Sequence, residues 1–244
     1  MRRLKVDLHI HTALSPCGAR EMTPPAIVRT ARRAGLAMIA ICDHNAAGNV
    51  AAVQEAAEAV LTVIAGMEIT TAEEAHVLGL FPDAAFACAA ADVVRATLPE
   101  MDPAPGVWGE QLLMDKEGRV TGREPRLLAA ATDLDLAEVV RLIRSCSGLA
   151  IASHVDRPSF SVLSQLGMFP EGVRFDALEV SPLGRRPDRL RQLDGLDSPI
   201  VCSSDSHYLS EIGGGVTWIE ADSQSFGELA LALSRSNGRR VLHA

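Results

Sequence analysis

Short apolar runs rich in Val, Ile and Leu return along the whole chain, and helical patterns fill the intervals between them. The runs are Val6–Ile10, Met38–Cys42, Thr62–Ile69, His76–Phe81, Leu149–Ser153, Ala177–Val180 and Ile200–Ser203, with Gly215–Glu220 as one more. Runs this short and this continuously apolar belong to strands covered on both faces. Between them, Thr23-Pro24 reads as an N-cap followed by Pro at the first helical position, and Gly35 stands where that helix stops. Asn49–Val60 is Ala-rich and periodic, Asp135 with Glu138 forms a capping box ahead of Val139–Ile143, and Ser225–Arg235 reads as a last helix. Strands that alternate with helices pair in parallel, so the expected class is α/β, a parallel sheet or a closed barrel, with residues 1–244 as a single domain. The stretch 83–132 breaks the rhythm. It holds a helical piece at Ala84–Leu98, then Pro-rich turns and a hairpin turn at Asp115-Lys116-Glu117-Gly118, and reads as an insertion that caps the domain.

Composition removes several functions. There are 31 acidic and 23 basic residues, giving a net charge of −8, and only Lys5 and Lys116 are lysines. Such a chain is not expected to bind duplex nucleic acid stably, and 4% aromatic residues supply no stacking platform for a long strand. No apolar run reaches the ~18 residues that would span a membrane, and the charged start at Met1–Asp7 has no apolar leader behind it. The five cysteines are odd in number and widely spread, which predicts a reducing, cytoplasmic setting.

Five of the seven histidines, His9, His11, His44, His154 and His207, fall at or just past the carboxyl end of an expected strand. His76 opens its run, and only His243 lies outside the set. Asp7, Asp43, Glu68 and Asp205 accompany them. In a barrel the carboxyl ends of the strands meet on one face, which carries the active site. Residues i and i+2 of a strand point to one side, so His9 with His11, and Asp205 with His207, can each face a common metal. Mixed imidazole and carboxylate ligands suit Mn, Zn or Fe. Asp7 and Asp43 are expected behind the imidazoles, fixing their orientation.

The stretches Asp7–Thr12, Ile41–Asn45, Gly66–Ile69, Ala75–Leu78, Ala152–Val155 and Ser203–His207 come in the order found in the PHP (polymerase and histidinol phosphatase) domain phosphoesterases, and the chain resembles that family over nearly its whole length. The resemblance implies a distorted seven-stranded (β/α) barrel of PHP type, two or three divalent metal ions, and hydrolysis of phosphate esters. It implies that His9, His11, Glu68 and Asp205 hold one metal. Glu68 then bridges to a second, shared with His76 and His154, while His44 and His207 hold a third. The family usually places an Asp or His five or six residues after the second histidine of the first motif. Pro16 and Cys17 stand there in this chain, so either Cys17 or Glu21 is the expected extra ligand. If neither binds, the third metal is weak or absent.

The chemistry expected of such a site is attack by a metal-bridging hydroxide on a phosphate ester, with Glu68, Asp205 and His207 as the catalytic set and Asp205 or a rim histidine passing a proton to the leaving oxygen. Arg157, three residues past His154, is the expected phosphate ligand, with Arg185 and Arg186 beside it. Trp108 and Arg123 in the insertion are further contacts to consider, and Gly213–Gly215 reads as a flexible turn. The expected substrate is a small phosphorylated metabolite or nucleotide. Short RNA or another oligonucleotide, cut on the same site, is the alternative. A barrel amidohydrolase cleaving C–N bonds is a more distant one, because many of those need a lysine bridge that neither Lys5 nor Lys116 can supply.

Overall fold

The computed structural model describes residues 1–58, 60–99, 109–185, 193 and 197–243, with the side chains of 184, 185 and 243 excepted. Nine strands form one sheet: β1 (Arg2–Ile10), β2 (Met38–Ile41), β3 (Thr62–Thr70), β4 (His76–Phe81), β7 (Leu149–Ala152), β8 (Ala177–Val180), β9 (Ile200–Cys202), β10 (Thr217–Ala221) and β11 (Arg240–His243). The order across the sheet is β11-β10-β1-β2-β3-β4-β7-β8-β9. A parallel bridge between Ile10 and Ser206 brings the segment after β9 back to β1. The His11 N–H donates to the Ser206 carbonyl at 3.0 Å across that seam. Seven strands, β1 through β4 and β7 through β9, therefore surround a nearly closed, distorted barrel.

The period of two along each strand divides its side chains between two cores. Leu4, Val6 and Leu8 of β1, Met38 and Ala40 of β2, Ile64 of β3, Leu78 and Leu80 of β4, Ile151, Ala177 and Val201 fill the barrel interior. Their neighbours in sequence, among them Ile39, Ile41, Val63, Val77 and Ala150, face outward under the helices Pro24–Arg33, Val50–Ala57, Ala84–Thr97 and Leu136–Ser145. Helix Phe226–Leu233 adds Leu229, Ala232 and Leu233 to the interior cluster.

The helix signals have their expected geometry. Pro24 follows the Thr23 N-cap, the Asp135–Glu138 capping box is complete, and Ser225 caps the last helix. Two strands depart from a purely parallel barrel. β4 runs antiparallel to both β3 and β7, and β10 pairs antiparallel along the first half of β1, with β11 outside it. Within the stretch 83–132 the helix spans Ala84–Thr97, and β5 (Leu112–Met114) pairs with β6 (Val120–Arg123) around the Asp115–Gly118 turn. That hairpin packs on the barrel's rim: Leu112 N–H donates to the Ala13 carbonyl, and Met114 N–H to Asn49 Oδ1. Among the described residues no helix is long and apolar enough to cross a membrane.

Candidate metal centre

The barrel rim collects the histidines for reasons that lie in the strands. The β1–β2 register shifts between Asp7 and Ile10. Leu4, Val6 and Leu8 point into the barrel before the shift, and Ile10 joins the outer core after it. A bulge of this kind re-aims the chain, and it turns His9 and His11 together into the mouth above Leu8. Because β4 is antiparallel, its first residue, His76, lies on the same rim as the last residues of the parallel strands and pairs with Thr70. Four rim residues that are not glycine, Asn45, His154, Phe160 and Asp205, hold positive φ, a strained backbone that is commonly kept where it positions functional groups.

Glu68, buried near the end of β3, stands at the centre. Its Oε1 lies 3.0 Å from His76 Nδ1 and 3.2 Å from His154 Nε2. Its Oε2 lies 3.1 Å from His44 Nδ1, 3.4 Å from His9 Nε2 and 3.5 Å from His11 Nε2. Asp205 Oδ1 lies 3.3 Å from His9 Nε2 and 3.0 Å from His11 Nε2. Three groups of ligand atoms converge closely: His9, His11, Glu68 and Asp205; His44, Glu68 and His76; and His11, His44 and His207.

These residues fit divalent metal. His9 and His11 bring their Nε2 atoms within 3.1 Å of each other. His11 Nδ1 is 2.8 Å from Ser15 Oγ, which itself donates to Asp43 Oδ1 at 2.7 Å. That network puts the His11 proton on Nδ1 and leaves the Nε2 lone pair facing a carboxylate oxygen, a repulsive arrangement unless a cation lies between them. Buried His44 Nδ1 lies 3.1 Å from Glu68 Oε2 without hydrogen-bond geometry, as a second metal-facing nitrogen would. Burial and the neighbouring His207 push His11 well below the usual imidazole range, and burial pushes His44 down to about 4, so both offer lone pairs at neutral pH. Burial would raise Glu68 and Asp205, but the surrounding imidazoles, His76 and His9 foremost, hold both carboxylates well below their ordinary values. His9 moves the other way. Burial lowers it, but the carboxylates of Glu179, Asp205 and Glu68 together raise it well above the usual value, and a proton there takes the place a cation would fill.

Glu179 is the residue sequence reasoning missed. It is buried in β8, accepts from His9 Nδ1 with both oxygens at 3.0 and 3.2 Å, and accepts the His154 N–H at 3.1 Å. The available signal was a lone acid inside the apolar run Ala177–Val180. Asp43 supports His11 through Ser15 and also takes the Thr12 N–H and hydroxyl at 2.7 Å. Asp7, expected behind an imidazole, instead accepts the N–H groups of Ser204 and Gly213 at 3.0 and 2.9 Å and ties the β9 and β10 connections to β1. Burial raises its carboxyl to about 6. The Gly213–Gly215 turn is thereby pinned; a Cβ on Gly215 would stand 2.1 Å from the Ser203 carbonyl oxygen.

Arg157 Nη1 meets Asp205 Oδ2 at 2.5 Å. A cavity of about 560 Å³ opens over this pair and over His207, Cys17 and Tyr208. Cys17 is exposed as a residue at the cavity, but its thiol is partly desolvated by the surrounding protein, and this with the nearby Glu68 charge raises it to about 12. Glu21 is exposed. Neither joins a convergent ligand group among the described residues. Arg123 is drawn to Glu110 on the insertion's surface. Arg186 and Trp108 lie outside the described residues, as does the side chain of Arg185.

The PHP domain model matches residues 7–160, more than half of the chain. The chain belongs to the PHP family. A second model, PHP-associated, matches residues 191–237 of this PHP protein. No curated protein matches it. Among solved structures, a lesion-specific endonuclease, PfuEndoQ from Pyrococcus furiosus, superposes with a TM-score of 0.77 at 18% identity, over 99% of this chain and 58% of its own. Endonuclease Q in complex with a 27-mer duplex carrying an abasic lesion gives 0.72 at 16% identity, over 99% and 59%. This chain thus spans about three fifths of the length of those endonucleases. A protein from Bifidobacterium adolescentis described as a metal-dependent phosphoesterase gives 0.62 at 21% identity, over 95% and 96%. At these identities the likeness is one of fold.

Proposed function

We propose that this PHP protein is a metal-dependent phosphoesterase that hydrolyses a small phosphorylated metabolite or nucleotide. The observation that carries the reading is the convergence of His9, His11, His44, His76, His154 and Asp205 on buried Glu68 beside an arginine that faces a cavity. His9, His11, Glu68 and Asp205 would hold one ion, and Glu68 with His76, joined by His154 or His44, a second; His207 with His11 and His44 is the remaining group. Manganese, zinc or iron suits these donors. When bound, such ions supply hydroxide at neutral pH and neutralise charge on the phosphoryl oxygens.

The chain's own groups do the rest. Arg157 is placed to grip a phosphoryl oxygen once a substrate draws it from Asp205, because its planar donor fork matches phosphate. His207 keeps Nδ1 on the Asp205 carbonyl at 2.9 Å, which leaves Nε2 either to join His11 and His44 on a metal or, where that group holds none, to carry a proton to the leaving oxygen. Asp205, the other carrier expected from the sequence, is held ionised despite its burial by His9 and His11 and is paired with Arg157, which leaves that role to a rim histidine. The hairpin Leu112–Arg123 of the insertion flanks the rim and would select what enters; Arg185 and Arg186 are retained as further phosphate contacts on the sequence alone.

The fold shared with endonuclease Q favours a second reading, cleavage of phosphodiesters in nucleic acid. The −8 charge weighs against stable duplex binding. The deciding experiment is phosphate release and strand cleavage by Mn-reconstituted protein over sugar phosphates, nucleotides, cyclic phosphates, a short RNA and a duplex with an abasic site, each with a chelated control. Chelator-sensitive turnover of a small ester is expected, and Arg157→Met should raise its KM about tenfold or more with metal content unchanged, in line with loss of a charged hydrogen bond. Cleavage of the duplex alone would favour the second reading, and silence on every ester by metal-loaded protein would remove the function.

A further inference from the structure

We propose that Tyr208 is a stacking face for a single planar heterocycle, so that the site takes nucleotides in preference to phosphorylated sugars. This rests on the phosphoesterase reading and names its substrate class. Nine large apolar side chains stand exposed among the described residues, and three of them, Phe160 at 44%, Leu183 at 79% and Tyr208 at 56%, lie on the consecutive rim loops after β7, β8 and β9. The opposite side of the rim is covered by the insertion, whose hairpin is bonded to Ala13 and Asn49. Among the described residues, the side of the rim away from the hairpin therefore carries these three exposed apolar side chains.

Tyr208 is the only tyrosine in the chain, and it lines the same cavity as Arg157, Asp205 and His207. Its backbone is held firmly: the N–H groups of His207 and Tyr208 both donate to Glu211 Oε2, at 2.8 and 3.1 Å. Its ring stands 56% exposed beside a polar, charged centre. Across the site, Phe160 keeps φ at +56°. Its carbonyl takes the His76 N–H at 2.9 Å, and its ring stacks on the His76 imidazole with centroids 4.9 Å apart. It walls the apolar side at the far end of the cluster. The cavity thus sets Arg157 and His207, which can meet a phosphate, beside the Asp205 and Glu211 carboxylates and one aromatic ring, that of Tyr208. A cavity of about 560 Å³ lies in the usual range for small-ligand sites. A single exposed ring in it suits one base, where a strand would need a succession of them.

The test is equilibrium binding to Mn-loaded protein, by calorimetry, of two ligands that cannot be hydrolysed: a nucleoside 5′-methylenephosphonate and the same sugar phosphonate without its base. Wild type should bind the base-bearing ligand about tenfold or more tightly, a preference that Tyr208→Ala abolishes and Tyr208→Phe keeps, as the loss of one stacked base predicts. Equal affinities in wild type, or a preference that survives in Tyr208→Ala, would overturn the proposal. Circular dichroism confirms that each variant is folded. Because binding is read without turnover, failure of the stacking face is distinct from failure of the phosphoesterase reading, which phosphate release reports separately.

Discussion

Glu179 gives both carboxylate oxygens to His9 Nδ1 and also takes the His154 N–H, so one buried acid orients two histidines that face Glu68. Holding the proton of His9 on Nδ1 keeps Nε2 free to bind metal and makes it a better donor. Glu179→Gln keeps the size and one acceptor but places an NH₂ group against the ring. Metal affinity should fall about 10- to 100-fold. Titration against a metal buffer measures this, with circular dichroism as the check on folding, and an unchanged affinity would reduce Glu179 to a packing residue. The imidazoles themselves were legible in the sequence, because histidine is scarce and six of seven stood at strand ends. Glu179 was not, since it is one of 31 acidic residues and its partner is 170 positions away. The hydroxyl of Ser15, which links His11 to Asp43, was hidden for the same reason: a serine in a loop carries no sign of what it touches.

At the scale of elements, the apolar runs marked the barrel strands to within a few residues, since strands buried on both faces leave a continuous signal. Their directions were less visible. Only 71–75 separate β3 from β4, and a parallel partner needs a crossover of about a dozen residues or more, so that gap already required an antiparallel pair. β11 escaped notice because Arg240–His243 is a short run at the edge of the sheet. The β5–β6 hairpin was legible through its turn, yet its seat on the barrel, beyond the Leu112–Ala13 backbone bond, rests on a side chain far from it in sequence. Asn49 Nδ2 donates to Thr12 Oγ1 and the Leu112 carbonyl, and its Oδ1 accepts the Met114 N–H, each at 2.9 Å. Asn49→Ala would strand the two buried backbone groups of β5. A loss of about 3 kcal/mol is expected in urea unfolding, together with faster proteolysis within 109–132, given the cost of unsatisfied buried polar groups. A loss below about 1 kcal/mol would show that the hairpin is held by its apolar contacts and the Leu112–Ala13 bond alone.

Across the whole molecule, an apolar interior fills the barrel while its mouth packs Glu68, Glu179, Asp205 and five histidines, His9, His11, His44, His76 and His154, in or near full burial. Removing that many charged and polar groups from water is costly, and hydrogen bonds among them offset only part of the cost. His154 Nδ1 has no hydrogen-bond partner among the described residues, and His44 Nδ1 meets Glu68 Oε2 at 3.1 Å without hydrogen-bond geometry. A cation shared by the rim would join strands from every side of the barrel, since Glu68 comes from β3, His9 from β1 and Asp205 from the segment after β9. Metal binding should therefore stabilise the fold as a unit. A ligand at a hundredfold its Kd contributes about 2.7 kcal/mol when it binds only the native state. For a chain of 244 residues that corresponds to a rise in Tm of roughly 5–10 °C. Scanning calorimetry of chelated protein with and without added Mn²⁺ should show this rise. Because imidazoles bind metal only when neutral, protons compete first at His9, whose value is raised, so the rise should shrink as the pH falls from neutral, while His44, lowered to about 4, keeps its lone pair until the pH nears that value. Glu68→Ala should lose most of the rise, since its carboxylate faces five histidines at once. A Tm that does not respond to metal in wild type would mean that the rim is held by its hydrogen bonds alone, and that the buried carboxylates are neutralised by protons on their histidines.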